Sequence, residues 1–113
     1  MKLRALYVYA FGPTLNDLHE AVVQAAKVEA EAASDVVFNE QMGTYFTERV
    51  NSIDPWKDHH GFANARDEQL KYQTAAAKHI LARDVAARKL EAAKARYVSM
   101  RDGLDAACKG DPA

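Results

Sequence analysis

The sequence predicts an all-α fold, a long antiparallel helical hairpin of coiled-coil type. Three observations carry that reading. Gly and Pro together supply only 8 of 113 residues, and none lies between Phe62 and Asp102. Two rows of mainly apolar residues recur at alternating steps of three and four, the signature of helices docked on a partner helix. Alanine supplies 22 residues of a chain that is 49% hydrophobic. It is the best helix former but contributes only one methyl group on burial, so the composition favours long helices in close contact over a bulky interior.

A chain of this length builds one domain. Its expected organisation over 1–113 is an N-terminal element at 1–12, a first long helix at 14–53, a connecting loop at 54–63, a second long helix at 64–107 and a tail at 108–113. The N-terminal stretch Leu3 to Ala10 is rich in Tyr and Val and reads as a short strand. Leu3, Leu6, Tyr7 and Ala10 also form a helical stripe, and a strand there needs a partner to pair with. The same stretch imitates a secretory leader but is shorter than the roughly 15–30 residues one requires.

The first helix opens at Thr14 after Pro13, with Asp17 three positions on as a capping box. Its inward row is Leu15, Leu18, Val22, Ala25, Glu29, Ala32, Val36, Asn39, Gly43, Phe46, Val50 and Ile53. A competing reading makes Val36-Val37-Phe38 and Thr44 to Thr47 a β-hairpin around Gly43, giving an α+β fold with a small sheet. Helix is the preferred reading, with a kink at Gly43, because Phe38, Met42, Tyr45 and Phe46 also fall at helical spacing.

For the second helix Asn64 is the expected N-cap, followed by Asp67 and Glu68, and Gly110 with Pro112 supplies the stop. Its inward row runs Tyr72, Ala76, His79, Arg83, Ala86, Leu90, Ala93, Tyr97, Met100, Leu104 and Ala107. A second row, Leu70, Ala77, Leu81, Val85, Ala92 and Ala95, lies beside it. One partner helix covers one row, so self-association into a homo-oligomer, a dimer first of all, is expected.

Charge is uneven although the total is −1. Residues 14–54 carry eight acids against Lys27 and Arg49, whereas Lys78, Arg83, Arg88, Lys89, Lys94, Arg96 and Arg101 face only Asp84 and Glu91 over 78–101. Two uses compete. An antiparallel hairpin brings residue i near about 117 − i, so that Glu29 meets Arg88 or Arg83 and helps set the register. Alternatively the seven bases face outward and track nucleic-acid phosphates. The pairing is preferred, because the pI near 6.4 is acidic and no basic run is interleaved with exposed aromatics.

Motifs for chemistry are sparse. His19-Glu20 lacks the second histidine of a zinc-protease helix, since position 23 is Val23. His79 has no carboxylate or cysteine beside it in the sequence and reads as a seam-edge or surface residue. Nucleophile elbows, glycine-rich phosphate loops and paired cysteines are missing from the sequence, so no acid, base and nucleophile set can be assembled and the chain is not expected to be an enzyme. No cofactor or metal is expected. Asp58, His59 and His60 lie in a loop where neighbours point apart, with no fixed ligand spacing.

The same loop holds the expected partner site: Trp56, His59, His60 and Phe62. Aromatic anchors dominate tight interfaces, although Trp56 would serve equally well as a lid on the bundle end. A lone Cys108 suits a reducing cytoplasm, and no apolar run is long enough to cross a membrane. The functional expectation is therefore a non-catalytic intracellular adaptor, inhibitor or assembly protein that binds another protein through a helical face and the Trp56 loop. A nucleic-acid-binding or regulatory role for the basic rows is the alternative.

Overall fold

A computed structural model describes residues 14–108, which form two long α-helices, α1 (Leu15–Ser52) and α2 (His59–Cys108), joined by a short turn. The fold is an all-α antiparallel helical hairpin, and no strand occurs among the described residues. Helix continues without a break from residue 36 to 50, so the β-hairpin alternative is overturned, and α1 includes Gly43. The expected strand at 1–12 and the tail beyond Cys108 lie outside the described residues.

The capping box forms as the spacing predicts. The Asp17 amide donates to Thr14 Oγ1 at 3.1 Å, and the Thr14 amide donates back to Asp17 Oδ2 at 3.0 Å. Two otherwise orphaned donors are thereby satisfied. At the other junction the expected boundary moves. α2 begins at His59 rather than after Asn64, which lies one and a half turns inside the helix, and the loop at 54–63 shrinks to residues 53–58.

The inward rows follow the heptad. All twelve residues of the α1 row are buried or half-buried, and of the eleven in α2 only Ala107 is exposed. The earlier start of α2 extends its row back through Gln69 and Ala65 to Phe62, all at least half-buried. The second apolar row meets nothing: Leu70, Ala77, Leu81, Val85, Ala92 and Ala95 are all exposed.

The chain divides into two compact units, each drawing on both helices. In the unit spanning Glu29–Val85, the core consists of Ala32, Val36, Ala65 and Ala76 with Asn39 and Gly43. Val36, at 2% exposure, is its largest fully buried side chain. Small residues let the two backbones approach, and a Cβ placed on Gly43 would lie 3.7 Å from Gln73 Cγ, an ordinary contact. Asn39, the buried polar residue of the seam, donates from Nδ2 to the Asp35 carbonyl at 2.7 Å. A polar relay crosses the helices: Gln69 Nε2 donates to Thr47 Oγ1 at 2.9 Å, and that hydroxyl donates to the Gly43 carbonyl at 2.8 Å. Beside it Phe46 stacks on Tyr72 at 5.7 Å between centroids, with Phe38 edge-on to the same ring. In the other unit, whose described residues are 14–28 and 86–108, Ala86 and Ala93 are buried and the His19 ring lies 5.9 Å from that of Tyr97.

Thr47 with Gln69, Gly43 with Gln73 and His19 with Tyr97 all obey the expected rule of about 117 − i. The ion pair expected to enforce it does not form. Arg83 and Glu29 make no ion pair with each other, because the register sets Arg83 level with residues 33–34, about a helical turn away from Glu29. The Gln69 to Thr47 hydrogen bond and the aromatic stack fix the alignment in its place.

Two expectations follow. Val36→Ala removes two buried methyl groups from a tightly packed seam and should cost about 2 kcal/mol of stability, read as a shift in the urea midpoint. Asp17 is held below its ordinary value of 3.8 by the Thr14 amide, helped by the Thr14 hydroxyl. Its support for the start of α1 is therefore present above that value and fades as pH falls through the lower folded one. After correction for the intrinsic rate at each pH, protection of the Thr14 and Asp17 amides should fall on acidification through that range, and Asp17→Asn should remove that change.

Candidate protein-binding turn

Ile53 and Asp54 end the run of α1, and the chain reverses on Asp54. Its carboxylate accepts from the Trp56 amide at 2.9 Å, while its carbonyl accepts from the amides of Lys57 at 3.0 Å and Asp58 at 2.9 Å. One residue thus satisfies three successive donors, and Pro55, which has no donor, fills the remaining place with its φ already set for a turn. The single helical turn closes but does not propagate, because Asp58 starts a new helix. Asp58 Oδ1 accepts from the Gly61 amide at 2.9 Å and the Asp58 carbonyl accepts from Phe62 at 3.0 Å, the bonds of an N-cap.

On this framework Trp56 projects outward. It is 95% exposed, which rules out a role as lid on the hydrophobic seam. His59 and His60 stand exposed in the first turn of α2, their rings 5.8 Å apart, on the same connection as Trp56. Phe62 differs: it is half-buried and opens the inward row of α2, so it belongs to the seam more than to the exposed surface. Asp54 was missing from the expected site. Its signal was the Asp-Pro pair followed by an aromatic residue, which reads as a turn but does not announce which residue the turn displays.

The remaining candidates are placed as follows. Of the seven bases over 78–101 only Arg83 is half-buried, and Lys78, Arg88, Lys89, Lys94, Arg96 and Arg101 are exposed. Lys94 and Arg101 pair with Glu91 and Asp102 of their own helix, both at 3.4 Å. His79 does have a carboxylate for company, supplied across the seam by Asp35 with Nδ1 and Oδ2 3.8 Å apart, too long for a hydrogen bond. No group of three or more metal-ligating side chains gathers among the described residues. A shallow depression lies open to solvent along Val37, Glu40, Gln41 and Thr44 on α1. No described helix is long and apolar enough to cross a membrane. Comparison with protein families, with curated proteins and with solved structures finds no match for the chain.

The cap yields a sharp test. A Cβ at Gly61 would collide with the Asp58 carboxylate. Gly61→Ala should therefore gain little despite its helical position, since about 1 kcal/mol of helix propensity is offset by a similar loss of capping. In an Asp58→Ala background, where no cap remains to be lost, the same substitution should stabilise by about 1 kcal/mol in thermal or urea unfolding.

Proposed function

We propose that this chain is a non-catalytic protein-binding module, a small adaptor, inhibitor or assembly protein that engages its partner through the Asp54–Asp58 turn and self-associates through its helices. The observation that carries the reading is Trp56, 95% exposed on a turn whose amides Asp54 already holds. An exposed indole costs solvation free energy in the free chain and recovers it only when a partner covers it. Because the turn is ordered beforehand, little conformational entropy is lost on docking. His59 and His60 add hydrogen-bonding rim groups beside the anchor. The exposed row at Leu70, Ala77, Leu81 and Val85 supports self-association, and the lone exposed thiol of Cys108 suits a reducing, cytoplasmic setting.

A second reading, nucleic-acid binding, draws support from one observation: the bases of α2 make no ion pair with the acids of α1 among the described residues, apart from the His79 contact. One experiment weighs both. Immobilised chain is used to capture partners from its source cell, with nucleic acid removed or retained. Under the first reading capture survives nuclease, Trp56→Ala lowers affinity at least tenfold without loss of helix, and emission of the sole tryptophan shifts to the blue on binding. Binding that is unchanged in Trp56→Ala, or that is lost with nuclease and falls steeply with salt, retires it in favour of the second.

A further inference from the structure

We infer that the Glu29–Val85 unit carries a face for single-stranded nucleic acid, with an aromatic edge supplied by α1 and a basic edge supplied by α2. The inference rests on the second reading above, gives it a definite site, and is independent of Trp56.

Phe38 and Tyr45 are seven residues apart on α1, and Lys71 and Lys78 are seven apart on α2. All four hold the same place in the heptad, each immediately before an inward residue: Asn39, Phe46, Tyr72 and His79. At about 100° per residue that place lies roughly 130° from the inward direction, in the same sense on both helices. Equal offsets of one sense fall on one side of an antiparallel pair, so rings and lysines share a face. The contacts agree. Phe38 meets the Tyr72 ring edge-on with centroids 6.2 Å apart, and Lys71 Nζ lies 5.3 Å from the centre of that same ring. To within a residue, the register sets Tyr45 level with Lys71 and Phe38 level with Lys78. One ring and one lysine therefore stand opposite each other twice, about 10 Å apart along the helices. The sequence hides this pattern because its rings and bases lie on different helices.

Phe38 is 54% exposed and Tyr45 52%, so each offers ring surface to a ligand. Both rings are held beforehand, Phe38 by Tyr72 and Tyr45 by Phe46, whose centroid is 5.0 Å away. Lys78 and Arg49, exposed on the same side, join no ion pair among the described residues, and the 3.9 Å link from Lys71 to Glu68 is exposed and weak. The acids of this side are Glu68 and Asp35, and Asp35 has His79 at 3.8 Å. Glu31, one heptad before Phe38, bounds the face at the end away from the turn. Three bases thus outnumber two acids beside the rings. Bases of a single strand can stack on Phe38 and Tyr45 while its phosphates reach Lys71 and Lys78. A duplex keeps its base faces inside its own stack, and an acidic peptide would meet the lysines but bring no flat ring to the aromatic edge.

Fluorescence anisotropy of labelled oligothymidylate and oligouridylate, titrated with the full chain at low salt, tests this. Both should bind, and a duplex of matched length should bind at least tenfold more weakly. Phe38→Leu and Tyr45→Leu, which keep an apolar side chain but remove the ring, should each weaken binding about tenfold with helix unchanged by circular dichroism. Phe38→Trp should retain it. Lys78→Gln should weaken binding and lower the slope of log affinity against log salt by about 0.7, the loss of one phosphate contact. Trp56→Ala should change nothing. Failure of both oligonucleotides to bind overturns the nucleic-acid reading and this face together. Binding that ignores Phe38→Leu, Tyr45→Leu and Lys78→Gln but falls with Arg96→Gln overturns the face alone. A duplex bound as tightly as the single strand, or polyglutamate displacing the labelled strand as well as unlabelled oligonucleotide does, overturns the assignment to single strands.

Discussion

The structure depends on the close approach of two helices along rows of small residues. In the Glu29–Val85 unit the buried positions are alanine, glycine, one valine and one asparagine. Each alanine removes only a methyl group from water, so no single contact dominates. The gain comes instead from repetition and from dispersion between backbones held near each other. Larger residues in the same places would push the helices apart and forfeit those contacts. Alanine is thus doubly suited, favouring helix within each segment and permitting contact between them.

A seam of identical small groups specifies register poorly, because sliding by one heptad presents much the same surface. The chain resolves this with a few dissimilar side chains. Phe46 fits flat on Tyr72, and Gln69 reaches Thr47, whose hydroxyl is anchored on the Gly43 carbonyl. Asn39 accepts a polar role inside the seam by bonding its own helix, so it demands no partner across the interface. The turn at Asp54 adds a fixed connection length, and a short, fully bonded connection leaves little freedom to slip. The same rigidity holds Trp56 out from the surface.

Much of the fold was legible in the residues. The steps of three and four located the inward rows, and the Thr14 to Asp17 spacing located the start of α1. The misplaced boundary of α2 has a definite cause. Gly61 reads as a terminator, yet the first turn of a helix is where a missing side chain costs least and where room for the Asp58 carboxylate is needed. Reading Asp58 with Gly61 as cap and third helical position would have brought Phe62, Ala65 and Gln69 into the inward row. Val36-Val37-Phe38 looked strand-like because aromatic and branched residues cluster there, but Val36 fills the seam, Phe38 meets the Tyr72 ring across the helices and Val37 faces water. His79 was judged alone for the same reason: Asp35 lies 44 positions away in the sequence and a seam's width away in space.

Helix, its period and the sites of its caps were set by the chain itself, because these rest on interactions between residues one to four positions apart. Which of the remaining side chains face water was settled only by the pairing of the helices. Trp56 carries the largest side chain in the molecule and one that gains much from burial. It stands outside because three amides bound to Asp54 orient the turn, and no local rule weighs that geometry against burial. The exposed row from Leu70 to Val85 arises the same way: one neighbouring helix can cover only one face of α2.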